Sequence, residues 1–495
     1  MAKRKRDTDP QEKTISTNGV DKSAKLPKTN GHVDVKTISP VIQIIAGSYE
    51  RVLHGITASI SNLSSSKTAP SVKFADSFLF NAHASAVRCL ALSPLPEPDS
   101  SEAQSVYLAT GGSDEKINVY SLSASPVSEH DKTPAMPSLG NNTISENPRN
   151  RELGTLLQHS SNITTLHFPT RSKLLAGSED NTVSVTRVRD LSVVSTIKAP
   201  RPKVLGQPSG DTAPPGATPA GINDFAVHPS LKLMVSVGRG ERCMRLWNLV
   251  TGKKAGVLNF SREVLQSVKE SKYSSGEGRR IRWSPDGSGF AVSFERGAVV
   301  FGEDSKARCK ILPQPLTKLH HISYLSLPDA SGNQMTLLAV STEDGRILFY
   351  HTDDISPVPT NDANAKEELI PEASCRAQVG GKTAGISTRV KDFELLFSND
   401  SPEKSESVFI VAASSDGTIR LIHLPLSDLR DAVVKSKKAA ELGTVIGTYS
   451  TGNRITCMKA FVMLPPSDED DDLGGEEDEF EGFEEGSDES ESDDE

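Results

Sequence analysis

One pattern recurs along the middle of this 495-residue chain: a small apolar strand, a tight polar turn, then a second strand whose side chains alternate. It is the signature of a β-hairpin. The copies are Val41–Ile60, Leu108–Leu122, Leu174–Val188, Leu233–Leu249, Gly289–Gly302, Leu337–Thr352 and Val408–Leu424. A shorter strand precedes each later hairpin: SAVRCLAL after Ala84, NITTLHF at Asn162, INDFAVHP at Ile222, RIRWSPDG at Arg280, ISYLSL at Ile322 and VKDFELL at Val390. An unaccompanied copy of that strand, RITCMKAF at Arg454–Phe461, follows the last hairpin. No single hairpin can bury its apolar face alone, so repetition at this scale demands an architecture in which copies stack on one another.

Units of about 40–45 residues with four strands each are WD repeats. Seven hairpins predict an all-β fold, a seven-bladed WD-repeat β-propeller. The leftover strand at 454–461 is expected to close the ring by pairing with the 41–60 segment, so that the first blade draws on both ends of the repeat region and no sheet edge is left open. The spacing is uneven, and polar Pro/Gly/Ser-rich insertions at 94–106, 124–150, 204–220 and 353–385 account for the excess as loops projecting from the ring. The best competing helical signal is Ser427–Leu442, read as a loop-borne helix. The predicted organisation is a disordered basic arm at 1–40, a propeller at 41–464 and a disordered acidic tail at 465–495.

Charge is segregated along the same boundaries. The formal net charge of −10 divides into +4 for residues 1–39, +4 for 40–466 and −18 for 467–495, the last holding eighteen carboxylates and no Lys or Arg. Like charges at that density repel and cannot pack. The tail is therefore expected to keep the chain soluble, or to engage strongly basic partners with Phe480 and Phe483 as apolar anchors. Ser467, Ser490 and Ser492 each have an acidic residue three positions on, the context an acidophilic kinase requires. At the other end Lys3, Arg4, Lys5 and Arg6 form a compact basic block, read either as a solvated tail or as a nuclear import signal. The polar run that follows them does not resemble a secretory signal, and no stretch approaches a membrane span, so a soluble, unexported chain without membrane contact is expected. Five widely separated cysteines predict neither a disulfide framework nor a zinc ribbon.

Within a blade of this kind an Asp in the hairpin turn accepts hydrogen bonds from nearby backbone and from a His ahead of the innermost strand, while an aromatic residue ends the third strand. Asp114, Asp180, Asp344 and Asp416 occupy the turn position, His83 and His159 the histidine position, and Tyr120, Trp247 and Tyr350 the aromatic position. These residues are assigned a structural role. The fifth hairpin has Arg296–Gly297 in its turn in place of the Asp, and the fourth offers Glu241. Enzyme motifs fail on inspection. GGKTAGIST at 380–388 would need the first glycine of a phosphate loop at Arg376, Gly-Arg-Gly at 238–240 lacks a third glycine, and His320–His321, adjacent on a strand, are expected to face opposite sides. No catalytic residue, cofactor or metal site is expected.

Three segments go beyond a generic propeller: AGSYERVLHGI at 46–56, SVGRGERCMRLWNLVTGKKAG at 236–256, and RVKDFELLF with ASSDGTIRLIHL at 389–397 and 413–424. Together they resemble the nucleolar WD-repeat family of fungal maintenance-of-killer protein eleven, whose animal members are named as Pak-kinase-interacting proteins. The similarity runs in order through nearly all of 41–464. It implies a non-enzymatic factor for assembly of the large (60S) ribosomal subunit and rRNA processing, located in the nucleus and nucleolus, monomeric within a larger particle of pre-60S ribosomal and assembly-factor proteins, and touching pre-rRNA weakly or indirectly. The acidic ending departs from the basic tail of family members. The alternative is a signalling adaptor for a Pak-type protein kinase or a ubiquitin ligase, since fold alone does not separate the two. A direct RNA binder is a weaker third option, because residues 40–466 show no concentrated basic stripe apart from Arg279, Arg280 and Arg282.

Overall fold

A computed structural model describes residues 40–61, 70–96, 104–127, 143–200, 221–271, 273–328, 334–356, 370–398, 407–435 and 439–465. The basic arm and acidic tail of the sequence analysis, apart from Pro40 and Pro465, lie outside these residues.

The described strands group into seven four-stranded antiparallel blades, with Thr143–Ile144 added in parallel to the outer strand of blade 1 and a parallel pair, Lys310 with Glu372, joining the outer strands of blades 5 and 6. Blade 1 has Ile455–Val462 innermost, then Val41–Ser48, Val52–Ser61 and Ser71–Asn81. Blade 2 runs outward from Val87–Leu92 to Arg151–Leu156, blade 3 from Ile163–Thr170 to Ser192–Lys198, and blade 4 from Ile222–Val227 to Lys253–Asn259. Blade 5 spans Arg280–Trp283 to Ala307–Ile311, blade 6 Leu319–Pro328 to Glu372–Gly380, and blade 7 Val390–Phe397 to Thr444–Ser450. Each innermost strand touches the next, and the seventh returns to the first, so the ring is closed. Closure uses the expected strand: Ile455–Val462 pairs antiparallel with Val41–Ser48, Ile44 opposite Ala460.

The alternation read in the hairpins explains where the core sits. The middle strands of the blades carry most of the burial, as in Ser407–Ser414, every residue of which is buried. Apolar clusters consequently fill the seams between adjacent blades: Ile44, Ile56, Val411 and Leu421 between blades 7 and 1, and Val235, Phe260, Ile281 and Phe290 between blades 4 and 5. The outermost strands see solvent, and in Ser192–Lys198 only Ile197 is buried.

Three local expectations are corrected. The insertion at 353–385 contains Glu372–Gly380, the outer strand of blade 6, which buries only Ala373, Ala377 and Val379 and so carries too little apolar alternation to be legible. The helix expected at Ser427–Leu442 ends at Lys435, and beyond it Ala440–Glu441 pairs in parallel with Ala377 and Gln378. A second, short helix at Arg262–Ser267, capped by the Ser261 hydroxyl, leads from blade 4 to blade 5 and buries Leu265 in their seam. Among the described residues no helix is long and apolar enough to cross a membrane.

Candidate functional site: blade network and channel mouth

The turn aspartates of blades 2 and 3 are bonded to the paired histidines. His83 Nδ1 lies 2.9 Å from Asp114 Oδ1 and its Nε2 2.8 Å from the Thr110 hydroxyl. Because an ionised carboxylate only accepts, the proton sits on Nδ1 and Thr110 donates to Nε2. The backbone N–H of Ala84 also donates to Asp114, at 2.9 Å. In blade 3, His159 Nδ1 lies 3.0 Å from Asp180, whose other oxygen accepts the Thr182 hydroxyl at 2.6 Å. Burial pushes the Asp180 carboxyl up, but the bonds from His159 and Thr182 outweigh it and hold the group well below the usual carboxylate range.

The remaining blades solve the turn differently. Asp344 is held by the Thr342 hydroxyl and by Arg346 Nε at 2.9 Å, and Asp416 by the hydroxyls of Thr388 at 2.9 Å and Thr418 at 2.7 Å. Among the described residues neither has a histidine partner. Glu241 in blade 4 takes both guanidinium nitrogens of Arg245. Of the aromatics, Tyr120 packs edge-on to Phe80, Trp247 Nε1 donates to Ser236 at 2.8 Å, and the Tyr350 hydroxyl donates to the Leu312 carbonyl at 3.1 Å. Lys3, Arg4, Lys5, Arg6, Ser467, Ser490 and Ser492 lie outside the described residues. The cysteines are free; burial raises the Cys309 and Cys457 thiols to about 12 and Cys375 to about 11, which leaves them protonated at neutral pH.

The inner strands carry a second network, which sequence reading missed because its partners come from different blades. Asp224, fully buried in blade 4, accepts the Thr165 hydroxyl of blade 3 at 3.0 Å, the Ile281 N–H of blade 5 at 3.1 Å and Arg282 Nη1 at 2.7 Å. Asp392 repeats the arrangement in blade 7, with His321 Nδ1 of blade 6 at 3.2 Å and the Met458 N–H of blade 1 at 3.0 Å. Both follow a slip in pairing register, between Ile222 and Asp224 and between Val390 and Asp392. A bulge turns two successive side chains toward the same side. In blade 6 the register slips between Leu319 and Ile322; His320 lines the channel mouth, and His321, whose Nδ1 meets Asp392, lines the channel below it.

The mouth opens at the end of the channel where the inner strands begin, as a cavity of about 1000 Å³. Six blades contribute the second residue of the inner strand, Thr456, Arg88, Thr164, Asn223, His320 and Lys391, and blade 5 contributes Arg279, which immediately precedes its inner strand. With Arg51, Arg239 and Arg280 the lining holds six cations against the carboxylates of Glu179 and Glu277. Those carboxylates are already engaged, Glu179 by Arg88 at 3.7 Å and Arg239 at 3.3 Å, and Glu277 by the Gly240 N–H at 2.5 Å. Burial together with the fields of Arg389, Arg280, Arg454 and Arg88 pushes the Lys391 amine down. Burial and Lys391, Arg389, Arg279 and Arg280 push His320 down to about 4, so it is neutral. The ring thus assembles a concentrated basic surface from residues spread over 51–391, of which only Arg279 and Arg280 stood out in the sequence.

A ring of seven blades, two of them with histidine–aspartate turns, defines a WD-repeat β-propeller, a protein-interaction scaffold. Residues 150–186 match the WD domain, G-beta repeat family. That span covers the outer strand of blade 2 and three strands of blade 3, so the repeat in sequence straddles two blades. The chain is similar over most of its length to Protein MAK11 of Saccharomyces cerevisiae, with 27% identity covering 84% of this chain and 82% of the relative. It is also similar to a p21-activated protein kinase-interacting protein 1-like of Gallus gallus, at 22% identity over 85% and 80%, and to Shk1 kinase-binding protein 15 of Schizosaccharomyces pombe, at 24% over 76% and 85%. The family resemblance read from the three sequence segments is borne out by these relatives.

Proposed function

We propose that this chain is a non-enzymatic scaffold in assembly of the large (60S) ribosomal subunit and in pre-rRNA processing, working in the nucleus and nucleolus. The propeller binds pre-ribosomal and assembly-factor proteins, and pre-rRNA is met mainly through them. The observation that carries this reading is the similarity of 84% of the chain to the MAK11 protein. A rigid ring that offers loops and a channel mouth to several partners at once supports it. Affinity purification of the tagged full-length chain tests it. Recovery of large-subunit proteins with precursors of large-subunit rRNA is expected, and their absence sinks the reading.

A second reading is favoured by a specific observation: two of the relatives are named for binding p21-activated or Shk1 kinases. On it, the chain is an adaptor that docks on a protein kinase. The same purification separates the two, because an adaptor recovers a kinase without rRNA precursors.

A further inference from the structure

The unspent chemistry of this fold is at the channel mouth. Of the cations lining it, Arg280 and Lys391 have neither an ion-pair partner nor a side-chain hydrogen bond among the described residues, nor has Arg389, which does not line the cavity but whose field reaches His320 and Lys391; Arg51 reaches only the Ala84 carbonyl, at 3.5 Å. All three unpaired groups are half-buried. Beside them His320 Nε2 is buried without a hydrogen-bond partner. Half-buried cations held close together without counter-charge raise the free energy of the empty site, and an anion that enters relieves the repulsion. Deeper in the channel the charges are matched, Arg282 with Asp224 and Lys459 with Glu394, so the excess is confined to the mouth.

On the reading of the chain as an interaction scaffold, we propose that the channel mouth docks an acidic peptide of a partner protein, an Asp/Glu-rich segment whose carboxylates are taken by Arg280 and Lys391, with one reaching His320. Guanidinium groups bind carboxylates in a bidentate fork, and the neutral imidazole supplies an N–H donor. The site fits a peptide better than RNA for two reasons. A strand of nucleic acid is held by a groove that tracks its backbone and by aromatic faces on which bases stack. Here the lining encloses one cavity rather than a groove, and the face of the exposed Tyr49 is already covered by Arg454, 5.7 Å from the ring centre. The cavity of about 1000 Å³ suits a few side chains converging on one point.

Fluorescence anisotropy on the purified full chain tests this, with a short fluorescein-labelled Asp/Glu-rich peptide, its Asn/Gln counterpart and an oligouridylate of equal length as probes. Binding of the acidic peptide alone is expected, weakening with salt, and about tenfold or more weaker in R280Q/K391Q. K306Q, at an exposed lysine remote from the mouth, should leave it unchanged. Carbodiimide coupling of the peptide to wild-type protein, mapped by mass spectrometry, is expected at Lys391 and keeps the test decisive if the double variant does not fold. No binding, equal binding of the neutral peptide, indifference to R280Q/K391Q, or preference for the oligouridylate overturns the proposal. Binding that appears only when residues 467–495 are deleted also overturns it, by giving the mouth to the chain's own acidic segment. Failure here leaves recovery of pre-ribosomal particles untouched, whereas failure of the assembly reading leaves peptide binding by the pure protein intact.

Discussion

Asp180 is the best-held turn aspartate of the ring, bonded to His159, to the Thr182 hydroxyl and to the Thr182 and Ser160 amides. Replacing it with Asn keeps the shape but swaps an acceptor for a donor, which leaves buried partners unpaired. D180N should lower unfolding free energy by about 1–3 kcal/mol in denaturant titration. Its pKa is depressed in the fold, so the stability it adds is present above the unfolded value near 4 and is lost as pH falls through the folded value. The gap between wild type and D180N should therefore close in acid. The buried histidines act in the same direction at higher pH. His83, facing Asp114 and Lys116, and His320, facing Lys391, Arg389, Arg279 and Arg280, have lowered folded values, about 4 for His320. The unfolded chain takes up their protons first, so stability should fall as pH drops from about 6.5 toward 4, with a shallower slope in H83N/H320N; an unchanged slope would contradict their burial as neutral groups. The His83–Asp114 and His159–Asp180 pairs were legible because each spans one repeat. The trio of His54, Asp76 and Tyr449, which joins blade 1 to blade 7, was not, because Tyr449 comes from the far end of the chain.

Among the elements, the ring-closing strand Ile455–Val462 carries most of the architecture. It covers the edge of Val41–Ser48, and its Met458 amide is anchored by Asp392 from the neighbouring blade. D392A strands that amide and the His321 ring in a buried place. We expect a loss of about 2–4 kcal/mol and faster hydrogen exchange at Met458 and its pairing partners than at Val411 in the middle of blade 7; equal exchange in both places would count against an anchoring role. Inner and middle strands could be read from sequence because burial on both faces, as in Ser407–Ser414, enforces small and apolar side chains. Outer strands such as Ser192–Lys198 and Glu372–Gly380 are wetted by solvent and held mainly by backbone bonds, which any sequence supplies. The register slips near Asp224, His321 and Asp392 leave no trace in a period-two pattern, and so the partners of these side chains across the blade seams could not be deduced from it.

At the scale of the whole molecule, charge had to be divided twice. The sequence separates a nearly neutral body from an acidic run at 467–495, and that body's +4 shows no obvious basic face. Ring closure then concentrates Arg88, Arg279, Arg280, Lys391 and Arg454 around one opening, because each inner strand starts at the same end of the channel. A site built from one residue per blade is invisible to any linear window, while the fold that builds it is among the most legible. Deletion of 467–495 should leave the melting temperature within about 2 °C of the full chain, since a −18 segment whose large apolar residues are Leu473, Phe480 and Phe483 has too little apolar surface to offset the cost of packing its charge; a larger fall would show that the segment supports the ring. The assembly reading is tested most directly by depleting the protein in cells and separating free ribosomal subunits on a gradient. It predicts a lower 60S:40S ratio, restored by the full-length chain; an unchanged ratio, accompanied by altered phosphorylation of kinase substrates, would contradict it.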